Sequence, residues 1–513
     1  MKNKKRRIIV VGIDGASWDI INTGIPMGLL PTFRYLTKNS VYGILKSILP
    51  PISPSAWNAI YTGAFPSKTG IFNFFEFDKI TYSYKPISCK NRKIPTIFSL
   101  LSLYSYKVFG VNLPFYYPPE TVNGCLICGF GSPKVSVYPQ EFLEKLKTII
   151  PNFIGDIGDD DIILSRDKDS LKNKTETIFN GAKKLIEYFF KNDFDFGFFV
   201  FRAHEPLQHY YFDNLEFILY FYSLIDKTLQ YVISQMSEED VLFIISDHGF
   251  RKVKCYVRIN NALESVGMFK CNQKRQLPIL EQLGKILIKI NPKLVRKLLS
   301  SPIIWNLLKI LPNKSLSYLN SVDWEKTKAF YLEGSEGIIR INLKDREKKG
   351  SVSKEEYENV RKEIISKLKS LKSPDNKRVI KDIIPIEKLY GEESKQYGDL
   401  VVIPEDDYVA SGGYSPNGEI FNYKKGIERP GEHSVDGILI IYSKNKEIVP
   451  SNVNLSASVV DIAPTILSIF GVPIPDYMDG EAILELNKEH KKADLEKLKL
   501  SLKIRELKKT GKI

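Results

Sequence analysis

Val241-Leu242-Phe243-Ile244-Ile245-Ser246-Asp247-His248-Gly249 governs the reading of this chain, because an apolar, strand-like run ends there on a carboxylate beside an imidazole. The pattern recurs. Asp14 follows Ile8-Ile9-Val10-Val11, Glu205 and His209 follow Phe198-Phe199-Val200-Phe201, and His433 precedes the apolar Gly437 to Tyr442. The chain has only five histidines, and three of them stand in these segments. In open α/β sheets, ligands and catalytic groups gather beyond the carboxyl ends of the strands, so donors placed there converge although far apart in sequence. Imidazole nitrogen and carboxylate oxygen, without thiolate, suit zinc or manganese better than a soft-metal centre.

Strand-like and helix-like segments alternate around these runs. Residues 1 to about 250 read as a strand over Ile8 to Ile13, helices near Leu30 to Lys38, Ser55 to Thr62 and Ile97 to Leu103, and strands at Lys107 to Asn112 and Leu126 to Gly129. A helix over 173 to 191 leads to the strand ending at Phe201, and one over 215 to 235 leads to the strand ending at Ser246. This alternation predicts a doubly wound α/β fold, a mostly parallel sheet sandwiched by helices. We divide the chain into a first part of the core at 1–254, an inserted α+β cap or lid at 255–399, a second part of the core at 400–485 and a basic helical tail at 486–513. The insertion is expected to carry strands at Ala329 to Tyr331 and Ile338 to Asn342 and a helix over Glu355 to Leu371. Leu400 to Ile403 reads as the return of the core.

At 513 residues the chain exceeds one typical core. A hydrophobic share of 43% with 26% charged residues describes a globular protein and argues against disorder. Lysine and arginine outnumber aspartate and glutamate by 74 to 60. The excess is spread along the chain and concentrated in its tail, and we read it as a Lys/Ile-rich background and expect no nucleic-acid partner. The basic start breaks at Gly12 and Asp14, which marks a strand and not a signal peptide. No run approaches the roughly 20 apolar residues of a spanning helix, and a cytoplasmic location is the expectation. Cys125 and Cys128 form an isolated pair that reads as buried packing. Residues 283–311 interleave basic and apolar side chains, which admits peripheral contact with an anionic membrane, although an amphipathic helix pair of the cap is the simpler reading.

One further segment bears on the chemistry: Pro50-Pro51-Ile52-Ser53-Pro54-Ser55-Ala56-Trp57, continuing to Thr62-Gly63. Ser53 stands in a proline-rigidified turn before a helix, where a hydroxyl nucleophile would meet backbone N–H groups and a helix N-terminus that favour an anion. Taken alone, Ser53 is more simply a turn or cap residue.

Together these strings resemble the alkaline phosphatase superfamily, in its branch of type I phosphodiesterases, nucleotide pyrophosphatases and related archaeal-type phosphohydrolases. The resemblance rests on Val11-Gly12-Ile13-Asp14-Gly15, the Ser53 segment, Glu205 to His209, Ser246 to Gly249, Gly431-Glu432-His433 and Asp461-Ile462-Ala463-Pro464-Thr465. It implies one divalent metal held by Asp14, Asp247, His248 and the Ser53 oxygen, and a second held by Glu205, His209 and His433. Two ions about 4 Å apart stabilise the attacking and leaving oxygens of an in-line displacement. It further implies that Ser53 attacks phosphorus and that the phosphoserine is then hydrolysed. The chain departs from the family pattern at Glu205, where aspartate is usual, and at Ser53, where threonine is common. The displaced Pro54 leaves Ser55 as a rival nucleophile.

Asn73, His204 and Asn112 are weaker expectations for substrate contact. The leading function is a metal-dependent phosphoric ester hydrolase of the phosphodiesterase or nucleotide pyrophosphatase type, acting on a phosphorylated small molecule or a lipid-like substrate. The alternatives are a phosphomonoesterase, an enzyme like the cofactor-independent phosphoglycerate mutases, and a catalytically silent membrane-surface or scaffold protein. The position of the insertion after Asp247-His248 argues against the mutase. The segment Ser53 to Trp57 lacks the pattern needed for a sulfatase.

Overall fold

The computed structural model describes residues 6–151, 153–154, 156–157, 162, 167–272, 314–423, 429–484 and 492–509. At its centre is a ten-stranded sheet. Ile8–Ile13 lies between Phe196–Phe201 and Val241–Ile245 and is parallel to both. Every residue of these three strands is buried. That is why they are unbroken apolar runs: a parallel sheet covered on both faces has no solvent side for polar residues to occupy. From Phe196–Phe201 the sheet continues through Val108–Leu113 and Gly124–Cys128 to Val137–Tyr138, and from Val241–Ile245 through Asp436–Tyr442 and Val41–Lys46 to Val453–Asn454. Asp436–Tyr442 is antiparallel to both neighbours.

Alternate residues of each strand feed two cores, as the period of two requires. Ile8, Val10, Phe196, Phe198 and Phe243 pack against helices Ser53–Thr62, Ile97–Leu103 and Ile462–Phe470. Ile9, Val11, Phe199 and Leu242 pack against Trp18–Gly24, Pro31–Asn39, Lys168–Phe190 and Leu215–Gln235. The doubly wound expectation thus describes the molecule.

Strand direction positions the site. Ile8–Ile13, Phe196–Phe201 and Val241–Ile245 end at one edge in register, with Ile13 opposite Phe201 and Gly12 opposite Ile245. Asp436–Tyr442 runs the other way and so begins at that edge, which delivers the residues before it to the same place. Val41–Lys46, antiparallel to it, ends there and leads into the turn before Ser53.

The insertion has its own sheet, in the order Ala329–Tyr331, Ile338–Ile341, Leu400–Pro404, Ile380–Pro385, antiparallel throughout. Leu400–Pro404, expected to open the returning core, therefore hydrogen-bonds inside the insertion instead. A short apolar run carries no mark of which sheet it will join, and the chain re-enters the central sheet only at Asp436. Between the two, Tyr408–Ser411 pairs with Cys255–Arg258, which also takes Phe421–Asn422. Helix Lys354–Lys369 starts from a Ser353–Glu356 capping box and buries Val360, Ile364 and Leu368, a four-residue spacing that makes one apolar stripe. A hairpin of the core, Phe75–Asp78 with Ser83–Pro86, packs on the insertion through Phe77 on Phe330 and Tyr82 on Trp324.

The proposed membrane-facing segment 283–311 lies outside the described residues. No helix among the described residues is long and apolar enough to cross a membrane. The tail helix Leu495–Lys509 buries Leu498 against the chain's own helix Ile97–Leu103. Cys125 and Cys128 are buried free thiols.

Candidate active site

The first cluster comprises Asp14, Asp247 and His248, all with no exposed surface. Asp14 leaves the central strand with its N–H donating to the Phe201 carbonyl at 2.9 Å. Trp57 donates its indole N–H to Asp14 Oδ2 at 3.0 Å, and the Gly15 N–H donates to Asp247 Oδ1 at 3.3 Å. The other oxygens, Asp14 Oδ1 and Asp247 Oδ2, have no hydrogen-bond partner. His248 Nδ1 lies 3.0 Å from the Gly249 carbonyl, which can only accept, so the proton is on Nδ1 and Nε2 carries a lone pair. That Nε2 lies 3.6 Å from Asp14 Oδ1 and 3.3 Å from Asp247 Oδ2. Three buried acceptors facing one another are costly unless a proton or a cation lies between them. The donor set therefore fits a divalent metal.

The second cluster is built differently. Glu205 and His209 are one turn apart on helix Glu205–Tyr211, so both side chains leave the same face. His433 arrives on Gly431–Ser434, which pairs with Gly249–Lys252 and places His433 opposite Phe250. His209 donates from Nδ1 to the Gly431 carbonyl at 2.8 Å, which aims Nε2 at Glu205 Oε1, 2.7 Å away. His433 Nε2 lies 3.3 Å from the same oxygen. Glu205 Oε2 accepts from Arg202 at 3.0 Å. In each of the two clusters the ligand atoms lie within 4.8 Å of one another.

Ser53 is the first residue of helix Ser53–Thr62, not a residue of the turn before it, and no side chain caps that helix. Its Oγ lies 3.1 Å from His248 Nε2. It faces a cavity of about 300 Å³ walled by Phe74, Phe130, Arg202, Glu205, His209, Gly334, Glu336, Arg429 and His433. Ser55 is buried, does not reach this cavity, and its Oγ has no hydrogen-bond partner. Trp57 underlies the whole arrangement: at Gly12 a Cβ would fall 2.6 Å from its ring, so only glycine lets strand and indole approach this closely.

Burial raises the Asp14 carboxyl well above its ordinary range, and the neighbouring Asp247 adds to this, against a smaller opposing pull from Arg202. Asp247 is pushed up to about 7, chiefly by burial. Burial would raise Glu205 too, but His209 and Arg202 outweigh it and hold this carboxyl well below the usual range. Burial and the nearby His433 depress His248. His433 is raised in spite of burial, by Glu336 and Glu205. The first cluster is thus short of positive charge, and the second already holds some.

The structure brings Asp14, Ser53, Glu205, His209, Asp247, His248 and His433 together. The three weaker expectations fall elsewhere. His204 points away, edge-on to Phe179 and Tyr222 with neither ring nitrogen hydrogen-bonded. Burial drops its basicity to about 3, so it packs as a neutral ring. Asn112 holds a left-handed backbone at φ 57° and donates to the Val200 carbonyl, a strand-end role. Asn73 donates to the Glu333 carbonyl at 2.8 Å, a tie between core and insertion. Sequence reasoning missed Arg202 and Glu336. Arg202 was findable, since it directly follows a strand that ends at the site edge. It pairs with Asp156 at 2.6 Å as well as with Glu205, and its guanidinium lies 3.5 Å from the Phe130 ring centroid. Glu336 comes from the insertion, where no local pattern marks it.

A mostly parallel, doubly wound sheet with two carboxylate–histidine clusters and a helix-initial serine at one edge is the architecture of the alkaline phosphatase-like phosphoester hydrolases. The chain belongs to the type I phosphodiesterase/nucleotide pyrophosphatase family, whose model matches residues 8–436. It is accordingly an enzyme that hydrolyses phosphoric ester bonds, in a family that depends on divalent metals. Its fold is similar to that of phosphonoacetate hydrolase from Sinorhizobium meliloti 1021, at 14% identity over 90% of this chain and 94% of that one, with a TM-score of 0.56. It is also similar to murine ectonucleotide pyrophosphatase/phosphodiesterase 5, at 11% identity over 91% and 95% of the two chains, with a TM-score of 0.50. Among curated proteins the sequence finds no match.

Proposed function

We propose that this enzyme is a two-metal phosphodiesterase of the nucleotide pyrophosphatase type, with Ser53 as its nucleophile. The observation that carries the reading is the position of Ser53 Oγ, 3.1 Å from His248 Nε2 and facing the cavity that the Glu205, His209 and His433 cluster also walls. Asp14, Asp247, His248 and the Ser53 oxygen would hold one zinc or manganese ion, and Glu205, His209 and His433 the other. When bound, the pair supplies positive charge to the attacking and leaving oxygens of an in-line displacement.

The remaining chemistry belongs to the chain. Helix Ser53–Thr62 presents an uncapped N-terminus, whose dipole favours the anionic phosphoryl group beside Ser53. Ser53 Oγ loses its proton and forms the bond to phosphorus as the bond to the leaving oxygen breaks and that oxygen takes up a proton. Water then cleaves the bond between Ser53 Oγ and phosphorus, which releases the monoester and restores the hydroxyl. Trp57 holds Asp14 in place through its indole N–H. Phe74 and Phe130 give the cavity apolar walls suited to the organic arm of an ester. A related fold, again at TM-score 0.50, is that of the murine enzyme in complex with AMP, and we extend a nucleotide-like or other phosphorylated small-molecule substrate to this chain as part of the proposal.

The test combines metal content by mass spectrometry with hydrolysis of bis-p-nitrophenyl and p-nitrophenyl phosphates. Two transition metals per chain and preferred cleavage of the diester support the proposal. Preference for the monoester replaces it with a phosphatase, and absence of both metal and turnover overturns it.

A further inference from the structure

We propose that Glu336, a residue of the insertion, positions His433 for metal binding, so that the second ligand cluster is complete only with the insertion docked. This rests on the metal-site reading given above and names a part of the machinery that lies outside the core.

The three ligand histidines expose the device. A histidine binds through one nitrogen in the orientation that the hydrogen bond at its other nitrogen allows. His248 donates its Nδ1–H to the Gly249 carbonyl at 3.0 Å, and His209 donates to the Gly431 carbonyl at 2.8 Å. Both acceptors are backbone of the core. His433 Nδ1 instead meets Glu336 Oε2 at 3.1 Å, and with that proton engaged its Nε2 is directed at Glu205 Oε1. The same job is done at His433 by a side chain from another part of the chain.

The loop that carries Glu336 is held for this purpose from both sides. It joins Ala329–Tyr331 to Ile338–Ile341 and turns through positive φ at Gly334, Glu336 and Gly337, at 75°, 54° and 154°. From the core, Asn73 donates to the Glu333 carbonyl at 2.8 Å, and the Tyr84 hydroxyl accepts the Glu333 N–H at 3.3 Å. From within the insertion, Ser335 Oγ accepts the Ile338 N–H at 2.9 Å. A Cβ at Gly337 would lie 2.8 Å from the Val402 carbonyl and 3.4 Å from Pro50, so the loop is wedged between the insertion's sheet and the turn that precedes Ser53. Glu336 lines the reaction cavity and also a second one, of about 230 Å³, on the side of Pro50 and Pro51.

The experiment compares zinc affinity in wild type, Glu336→Gln and Glu336→Ala by titration in a chelator-buffered series, with metal content read by mass spectrometry. Thermal melting of the metal-free proteins checks the fold. The alanine variant should hold one of its two metals about 10- to 100-fold more weakly, the usual effect of losing such a partner. The glutamine variant, whose amide oxygen still accepts the Nδ1–H, should remain close to wild type. Wild-type affinity for both metals in the alanine variant overturns the proposal. So does a tenfold loss in the glutamine variant, which also decides the matter should the alanine variant fail to fold. If the wild type binds no metal, the two-metal function fails and this inference with it. If the wild type binds two and the alanine variant matches it, only the inference fails.

Discussion

The imidazoles of His248 and His433 face each other with ring centroids 3.9 Å apart and planes inclined by 35°. One ring belongs to the Asp14 cluster and the other to the Glu205 cluster, so the two donor sets share a wall. The electrostatics follow from that contact: the charge that Glu336 and Glu205 favour on His433 disfavours a proton on His248. A lone-pair donor at His248 Nε2 is thereby kept available to the first cluster.

Ser53→Ala should abolish turnover, by at least about 10³-fold as for a lost nucleophile, while both metals stay bound. Ser55→Ala should keep activity, since Ser55 Oγ is buried without a partner and away from the cavity. Steady-state kinetics beside metal analysis separates the two serines. Turnover that survives in Ser53→Ala and is lost in Ser55→Ala would reverse the assignment.

Metal removal should both silence and soften the protein. Each ion bound at 100 times its dissociation constant adds about 2.7 kcal/mol to stability. A chelator should therefore lower the melting temperature, and zinc or manganese should restore it. Asp247→Ala and His433→Ala should each fail to regain two metals. Unchanged melting on chelation would show that the clusters hold nothing.

Metal affinity should rise as pH rises through about 7. Asp247 titrates near about 3.9 when unfolded and is raised to about 7 in the folded, metal-free protein. Between those values the folded state keeps a proton that the unfolded state has lost. That stabilising contribution is full below the unfolded value and vanishes as pH rises through about 7. A metal must expel the same proton, so calorimetry at pH 6 in buffers of different ionisation enthalpy should register proton release, and Asp247→Asn should reduce it. Binding independent of pH would contradict the assignment.

Arg202→Met should destabilise the fold by about 3–5 kcal/mol, because it takes their shared guanidinium from the buried Glu205 and the half-buried Asp156. Thermal melting reads the loss. The longer glutamate at position 205 depends on this arginine, which holds one carboxylate oxygen while the other faces the histidines.

Gly12→Ala should cost about 1–3 kcal/mol through overpacking. The added methyl meets Trp57, whose indole orients Asp14, so metal affinity should fall together with the melting temperature. A drop in stability alone would show that Trp57 only fills space.

Much of the fold was legible because burial leaves a local trace. Ile8 to Ile13, Phe196 to Phe201 and Val241 to Ile245 must be apolar on both faces, and such runs read directly as central strands. Donors that follow them stand at the carboxyl ends, so Asp14, Glu205, Asp247 and His248 were visible as a set. His204 misled by adjacency: it is next to Glu205 in sequence, but at the start of a helix neighbouring side chains leave in different directions, and its ring entered the aromatic core. Asn73 and Asn112 matched by type, and their amides are used by backbone carbonyls. Leu400 to Pro404 read as core because its composition is that of any buried strand.

The sequence by itself determined the parallel core, the metal-type donors and the serine, because each is a short segment whose residues must suit their immediate surroundings. Partnership was decided only in three dimensions. Strand direction brings His433 to the shared edge, Arg202 closes on Glu205 and Asp156, and a wedged loop of the insertion sets Glu336 against His433. Contacts between distant segments follow from which surfaces can pack and which charges must be neutralised, and no local pattern of residues records them.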